Sequence, residues 1–372
     1  MAVKAFGIIN SSASNIKVEG MQEYRPIGAF SFLGRYRIID FPISNLSNSN
    51  IDRIQVYVRG KVRSLAEHLG TGRHYNINSK KGRLQLLFSE ENALNDIYNT
   101  DVADFMEYID PIKRMRQDYV VIAPSYMIFT QDFEALLKTH VESGADITLL
   151  YHKVDNARES FLTCYALDLN RQKGVQSIEK NVGNTKEKNI FMDTYVMSKE
   201  IFVDLITKAH SISSMYNLVD ITNIECSEMD IRAVAHKGYF AAITDLTSYY
   251  KANEELLDYK LASTLFNPSW PIYTKTTDSC PTQYFEGASV RNSYVSNACL
   301  IEGTVENSVI GRSVKIAPGA VVKNCVVLAY ADIGKGVYLE NQIVDKWARV
   351  YHAKEVVASS DKPGYIRRDD TL

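Results

Sequence analysis

Arg25, Arg35 and Arg37 lie close together near the start of the chain, and Arg367-Arg368 stand near its end. A guanidinium grips a phosphate through two N–H bonds, so these arginines are candidates to hold a phosphate group. The plainer alternative pairs each arginine with a neighbouring carboxylate such as Glu23. The seven histidines contain no HExxH spacing. His68 and His74 flank the basic loop Gly70-Thr71-Gly72-Arg73 and read as structural. Cys164, Cys226, Cys280, Cys299 and Cys325 form no CxxC pair and are odd in number, which points to free thiols in a reducing, cytoplasmic compartment and not to a zinc site.

These residues must be held by elements that the remaining sequence describes. At 372 residues the chain is long enough for two domains, and 45% hydrophobic with 23% charged residues is an ordinary globular composition. Lys+Arg 42 against Asp+Glu 44 gives a net charge of −2, which argues against a nucleic-acid or membrane partner. No apolar run approaches the roughly 20 residues that span a bilayer. Ala5–Ile9, Arg53–Val58, Tyr119–Ala123 and Ile147–Tyr151 read as buried strands. Val62–Leu69, Asp101–Ile109 and Asp132–Ser143 carry helical spacing, and Gly144 stops the last of them. The alternation predicts a mostly parallel sheet with helices on both faces and ligands at the carboxyl ends of its strands. From about Ala288, aliphatic residues recur every five to six positions: Val290, Val295, Ile301, Val305, Ile310, Ile316, Val322, Leu328, Ile333, Leu339, Val344 and Val350. That period predicts a parallel β-helix whose rungs stack one aliphatic on the next. Pro268, Pro271 and Pro281 mark the boundary.

The run Leu33-Gly34-Arg35-Tyr36-Arg37-Ile38-Ile39-Asp40-Phe41-Pro42-Ile43-Ser44-Asn45 closely resembles the signature of the glucose-1-phosphate adenylyltransferase (ADP-glucose pyrophosphorylase) family. The resemblance covers essentially the whole chain. It implies a Rossmann-like, GT-A-like nucleotidyltransferase domain over residues 1–266, a linker over 267–283 and a left-handed β-helix over 284–372.

The family's catalytic positions are where this sequence departs. Its Gly-rich nucleotide loop is replaced by Asn10-Ser11-Ser12-Ala13-Ser14-Asn15-Ile16-Lys17, whose Cβ atoms disfavour the φ > 0 conformations open to glycine. Its R-A-K-P motif becomes Arg25-Pro26-Ile27-Gly28, without the lysine. Its two metal-binding aspartates align with Ser125 and Ala242, and the carboxylate of Asp245, three residues on, is about 10 Å away in an extended segment. On the sugar-phosphate side the resemblance implies that Glu179 and Lys180 are a binding remnant; a solvated surface pair is the alternative. Phe191 and Asp193 replace small, neutral residues there, and Asn92-Ala93-Leu94-Asn95-Asp96 lacks a family glycine. Arg37 matches a position that serves anionic effectors in the family, so the resemblance implies that Arg37, with Arg25, Arg35, Arg367 and Arg368, is a candidate site for a phosphate-bearing effector.

Nucleotidyl transfer relies on positioning and on metal charge. Loss of both metal carboxylates therefore implies a non-catalytic, regulatory subunit, most like the GlgD-type members of Gram-positive bacteria. It would need no cofactor of its own, with Mg²⁺ residing in a catalytic partner subunit, and would join that partner in a heterotetramer or form a homo-oligomer alone. The alternative is an active sugar-phosphate nucleotidyltransferase using shifted metal ligands. A β-helix acyltransferase or a homo-oligomeric scaffold is the third reading, and it has only His352 to offer as a catalytic histidine in the β-helix.

Overall fold

The strand Ala5–Asn10 is apolar up to Ile9 and lies at the centre of a nine-stranded sheet in a computed structural model, which describes residues 3–11, 16–78, 80, 82–90 and 95–372. It is flanked in parallel by Arg53–Arg59 on one side and Tyr119–Pro124 on the other, and Arg83–Ser89 extends the parallel part. Strands buried on both faces read as continuous apolar runs, which is why the sequence located them. The other half of the sheet differs from the expected parallel arrangement. Lys188–Ser198 runs antiparallel to both Tyr119–Pro124 and Ile147–Val154, and Tyr165–Leu169 forms an antiparallel pair with Val175–Lys180. The register of Lys188–Ser198 shifts between Phe191 and Tyr195, and Asp193 within that bulge has φ 43°. A bulge of this kind re-aims a side chain.

Around this sheet the helices follow their local signals. Phe133–Ser143 starts at Asp132, whose carboxylate accepts from the Ala135 N–H at 3.0 Å, and ends at Gly144 with φ 68°. Lys199–Ile212 buries Phe202, Leu205, Ile206 and Ala209 against a core that includes Phe6, Ile8, Phe105, Val120 and Met197. The fully buried Asp40 opens the helix Asp40–Asn48 and accepts from Tyr75 Oη at 2.6 Å, with His68 Nε2 also 2.6 Å away. His68 is thus structural, as its sequence context suggested. Among the described residues no helix is long and apolar enough to cross a membrane.

Compactness divides the chain differently from a single cut near Phe266. One unit contains the sheet, with Ile39–Thr244 and Pro268–Tyr273; the other gathers Lys17–Ile38, Asp245–Asn267 and Thr274–Leu372. The second unit is built on a parallel β-helix of three five-stranded sheets. Its stacked columns are Tyr284–Ile301–Ile316–Ile333–Val350, Val290–Val305–Val322–Leu339–Val356 and Val295–Ile310–Val327–Val344–Ile366, with Tyr284 and Val290 exposed on the first coil and the next residues of each column buried. Val327 takes the place expected of Leu328. Asn292, Asn307, Asn324 and Asn341 turn successive corners with φ between 44° and 55°, where asparagine is among the least strained L-residues. One outward column alternates in charge, Arg291, Glu306, Lys323, Glu340: Arg291 pairs with Glu306, and Lys323 Nζ lies 2.8 Å from Glu340.

The third sheet of the β-helix carries the outward residues Val309, Val326 and Ile343, all buried. Other segments of the same unit are tied to the β-helix. Tyr250 on the helix Leu246–Glu255 donates to Asn324 O at 2.7 Å, and Ser296 Oγ donates to Gly34 O at 2.7 Å. Gly34, at φ 68°, has no room for a side chain, since a Cβ would meet Ile310 O at 2.8 Å.

Candidate functional site

In the first unit, Asn10 and Pro124 pair at the carboxyl ends of adjacent parallel strands, where a sheet of this type presents its ligands. Beyond them Ser125 is 2% exposed; its N–H donates to Asn10 O at 3.2 Å and its hydroxyl lies 2.9 Å from that of Ser11. Ser12, Ala13, Ser14 and Asn15, the rest of the expected loop change, lie outside the described residues, as do Asn92, Ala93 and Leu94. Phe240–Ala242 runs antiparallel to Met127–Phe129, with Ala242 opposite Met127 and Ile243 N donating to Tyr126 O at 2.9 Å. Ser125 and Ala242, the two positions expected to lack a metal carboxylate, thus both adjoin Tyr126.

The side chain that lines the crevice is not Ser125 but its neighbour Tyr126. With Asn10, Asp101, Tyr165, Asp193 and Tyr195 it leaves a cavity of about 20 Å³, space for roughly one water. Tyr126 Oη donates to Asp193. Asp101 accepts from Asn10 Nδ2 at 2.8 Å and from Leu218 N at 2.9 Å. Burial pushes the Asp101 carboxyl up to about 7, with those two bonds opposing. Burial likewise raises Asp193 to about 6 against the Tyr126 bond, and raises the Tyr126 and Tyr195 hydroxyls. Asp245, the shifted carboxylate, belongs to the second unit, where it caps the helix Leu246–Glu255 by accepting from Ser248 N at 2.6 Å. Glu179 and Lys180 are both exposed at the end of the hairpin, and Lys180 Nζ lies 5.8 Å from the centre of the Tyr165 ring.

The five candidate arginines fall in the second unit and separate into distinct settings. Arg25 is 2% exposed, and its guanidinium binds both carboxylate oxygens of Asp345. Its partner lies far along the chain in the β-helix and is not Glu23. Asp345 also accepts from Tyr365 Oη at 2.8 Å and from Lys346 N at 2.6 Å, so its acceptor capacity is committed. Arg37 Nη1 donates to Ala29 O at 3.1 Å. The Arg368 guanidinium lies between Trp347, at 4.5 Å, and Tyr24, at 5.3 Å, and its Nε donates to Asp369 at 3.1 Å. Arg367 is exposed. Arg35 stands apart from that group: with Arg312, Tyr36, Phe266 and Ser296 it lines a cavity of about 420 Å³, in which Tyr36 and Phe266 stack at 5.1 Å.

Sequence comparison agrees with both halves of this architecture. Residues 21–259 match the nucleotidyl transferase family model, and residues 281–364 match the GlmU-like C-terminal hexapeptide model, which makes the β-helix of the left-handed type. The glycogen biosynthesis protein GlgD of Geobacillus stearothermophilus is 33% identical over 86% of this chain and 83% of its own length. That of Bacillus subtilis is 30% identical over 97% of this chain and 95% of its own. The chain belongs to the glucose-1-phosphate adenylyltransferase family. A member from Fervidobacterium nodosum, itself called glucose-1-phosphate adenylyltransferase, is 28% identical over 91% of this chain and 82% of its own length.

Within this family framework the sequence did not reveal Tyr126, Asp101, Asp345, Lys346 or Arg312. In an extended segment, which of two adjacent residues faces inward depends on strand register, and composition alone does not say that Tyr126 enters the crevice. Asp345 and Lys346 lie at a β-helix corner in a stretch whose visible signal is its stacking period. Asp101 had a helix-start signal: Thr100 caps the helix Asp101–Glu107 by accepting from Ala103 N at 3.2 Å.

Proposed function

We propose that this chain is a regulatory, non-catalytic subunit of glucose-1-phosphate adenylyltransferase, which makes ADP-glucose and diphosphate from ATP and glucose 1-phosphate for glycogen biosynthesis. One observation carries the reading. Among the described residues, the carboxyl ends of the parallel strands carry Tyr126, Tyr165 and Tyr195 with two buried acids around a cavity of about 20 Å³, too small for a sugar ring. Ser125 and Ala242 supply no carboxylate there. The similarity to two GlgD proteins supports the same assignment.

In this reading the partner is a catalytic subunit of the same family, which holds the Mg²⁺, and the two form a cytoplasmic heterotetramer. Arg37 and Arg368, beside Lys346, receive a phosphate-bearing effector that tunes the assembled enzyme. The test is an assay of the purified chain with ATP, Mg²⁺ and glucose 1-phosphate, alone and with the catalytic subunit. The chain alone should form no ADP-glucose, and its addition should change the partner's rate or effector response. A kcat of roughly 1 s⁻¹ or more from the chain alone would overturn the reading.

A further inference from the structure

Of the strands that end the nine-stranded sheet, two are defended and one is not. Val175–Lys180 carries a register shift between Val175 and Ser177 and finishes in the exposed charges Glu179 and Lys180. Ile231–Ala235 is covered by the neighbouring turn, where Lys173 O accepts from Ala233 N at 2.9 Å. Bulges, charges and covering segments of this kind keep a strand rim from pairing with another chain. The third strand is Arg83–Ser89, of sequence RLQLLFS. It has no proline, no lysine and no bulge, and its seven residues pair with Arg53–Arg59 in unbroken register. Among the described residues no strand lies beyond it.

Its outward groups alternate along the chain. Arg83 N donates to Asp52 O at 2.9 Å, so Arg83, Gln85 and Leu87 face Arg53–Arg59, and the N–H and C=O groups of Leu84, Leu86 and Phe88 face away. Phe88 O accepts from Tyr108 Oη at 2.8 Å and keeps its second lone pair. Leu84 and Leu86 are half-buried, and Phe88 is 50% exposed. Arg59, in register with Ser89, donates to Asn99 at 2.6 Å and so sets the turn Asp96–Tyr98 at the same end, with Ile97 53% and Tyr98 43% exposed. The strand starts with the exposed cation Arg83 and is followed by the exposed anion Glu90.

We propose that Arg83–Ser89 pairs antiparallel with the same strand of a second copy of this chain, about a two-fold axis at Leu86, and so joins two sheets into one. The register follows from the outward groups, since only outward-facing residues can exchange N–H···O bonds across the seam. Centring on Leu86 sets that residue against its own copy and Leu84 against the second copy's Phe88. The pairing makes about six main-chain hydrogen bonds and matches apolar side chains along the rim. The antiparallel sense also carries each Arg83 to the end where the other copy's Glu90 emerges, whereas a parallel pairing would set like charges together. This inference goes beyond the regulatory role proposed above and does not depend on it.

Sedimentation of the full chain alone should give a mass that Leu86→Lys halves, because this position faces itself across the axis and two ammonium groups would meet there. Leu86→Glu should halve it as well. An equimolar mixture of the two variants should regain the unaltered mass, since opposite charges then face each other. Amide hydrogen exchange of the unaltered chain is a second readout that needs no substitution. Leu84 and Leu86 should exchange roughly tenfold more slowly when the chain is concentrated than when it is dilute, while Gln85, which faces its own sheet, should not change. An unaltered chain that sediments as a monomer would overturn the proposal. So would an unchanged mass in both variants, a mixture that stays at the halved mass, or exchange at Leu84 and Leu86 that is independent of concentration. If Leu86→Lys weakened binding to a catalytic subunit but left the chain's own mass unaltered, the rim would belong to that partner and pairing with a second copy would be overturned.

Discussion

Asp193 shows how one buried carboxyl in the crevice alters the pH response of the protein. Its carboxyl is raised from 3.8 to about 6, so the folded state holds more protons than the unfolded state between those values. The stability it contributes is fully present below about pH 4 and is lost as pH rises through 6. Asp193→Asn keeps the acceptor for Tyr126 and tolerates the positive φ. It should match the unaltered chain at pH 4 and exceed it by about 2 kcal/mol at pH 7.5 in denaturant unfolding. Asp101, raised to about 7, acts with the same sign up to that pH. Little of this was legible in the sequence. The sequence marks Asp193 as a charge where the family has a small, neutral residue, but its bond to Tyr126 depends on a bulge between Phe191 and Tyr195 that no local pattern announces. Arg25 illustrates the same limit, because its partner Asp345 is remote in sequence.

At the level of elements the sequence was far more informative. Ala5–Asn10, Arg53–Arg59 and Tyr119–Pro124 lie where continuous apolar runs placed them, and the helix Phe133–Ser143 begins and ends at its capping residues. The β-helix was legible because each column repeats one residue class at one spacing. Its single slip, Leu328 for Val327, arises at adjacent aliphatic residues, which a pattern cannot rank. Less legible was the antiparallel part of the sheet, since a strand's direction leaves no trace in its own composition. Corner chemistry gives a prediction at this scale. Asn307 turns a corner at φ 46° and accepts from Asn292 Nδ2 at 2.8 Å. Asn307→Val should destabilise the protein by about 1–2 kcal/mol, the ordinary cost of the left-handed conformation, while Asn307→Gly should cost less. Thermal unfolding of the two variants side by side would show whether the backbone sets the difference; equal losses would assign it to the side-chain bond.

Across the whole molecule, the second compact unit joins segments that are distant in sequence, and Arg25–Asp345 is the buried ion pair that fastens one of them. Asp345→Ala leaves a guanidinium buried without its partner and should cost about 3–5 kcal/mol in equilibrium unfolding. A loss below about 1 kcal/mol would show that the pair carries little of the attachment. Cutting the chain after Phe266 to remove the β-helix would strand the same arginine, together with the Tyr250 hydroxyl that donates to Asn324. Failure of that fragment to associate with a catalytic subunit would therefore not locate the interface, and substitutions on exposed β-helix residues are the cleaner test. The alternating column Arg291, Glu306, Lys323, Glu340 has a consequence for how this β-helix can change length. Excising the coil that bears Glu306 sets Arg291 against Lys323, two like charges on neighbouring rungs. Excising two coils sets it against Glu340 and restores attraction. The ladder thus imposes a parity rule on its own growth: coils are gained or lost more readily in pairs than singly.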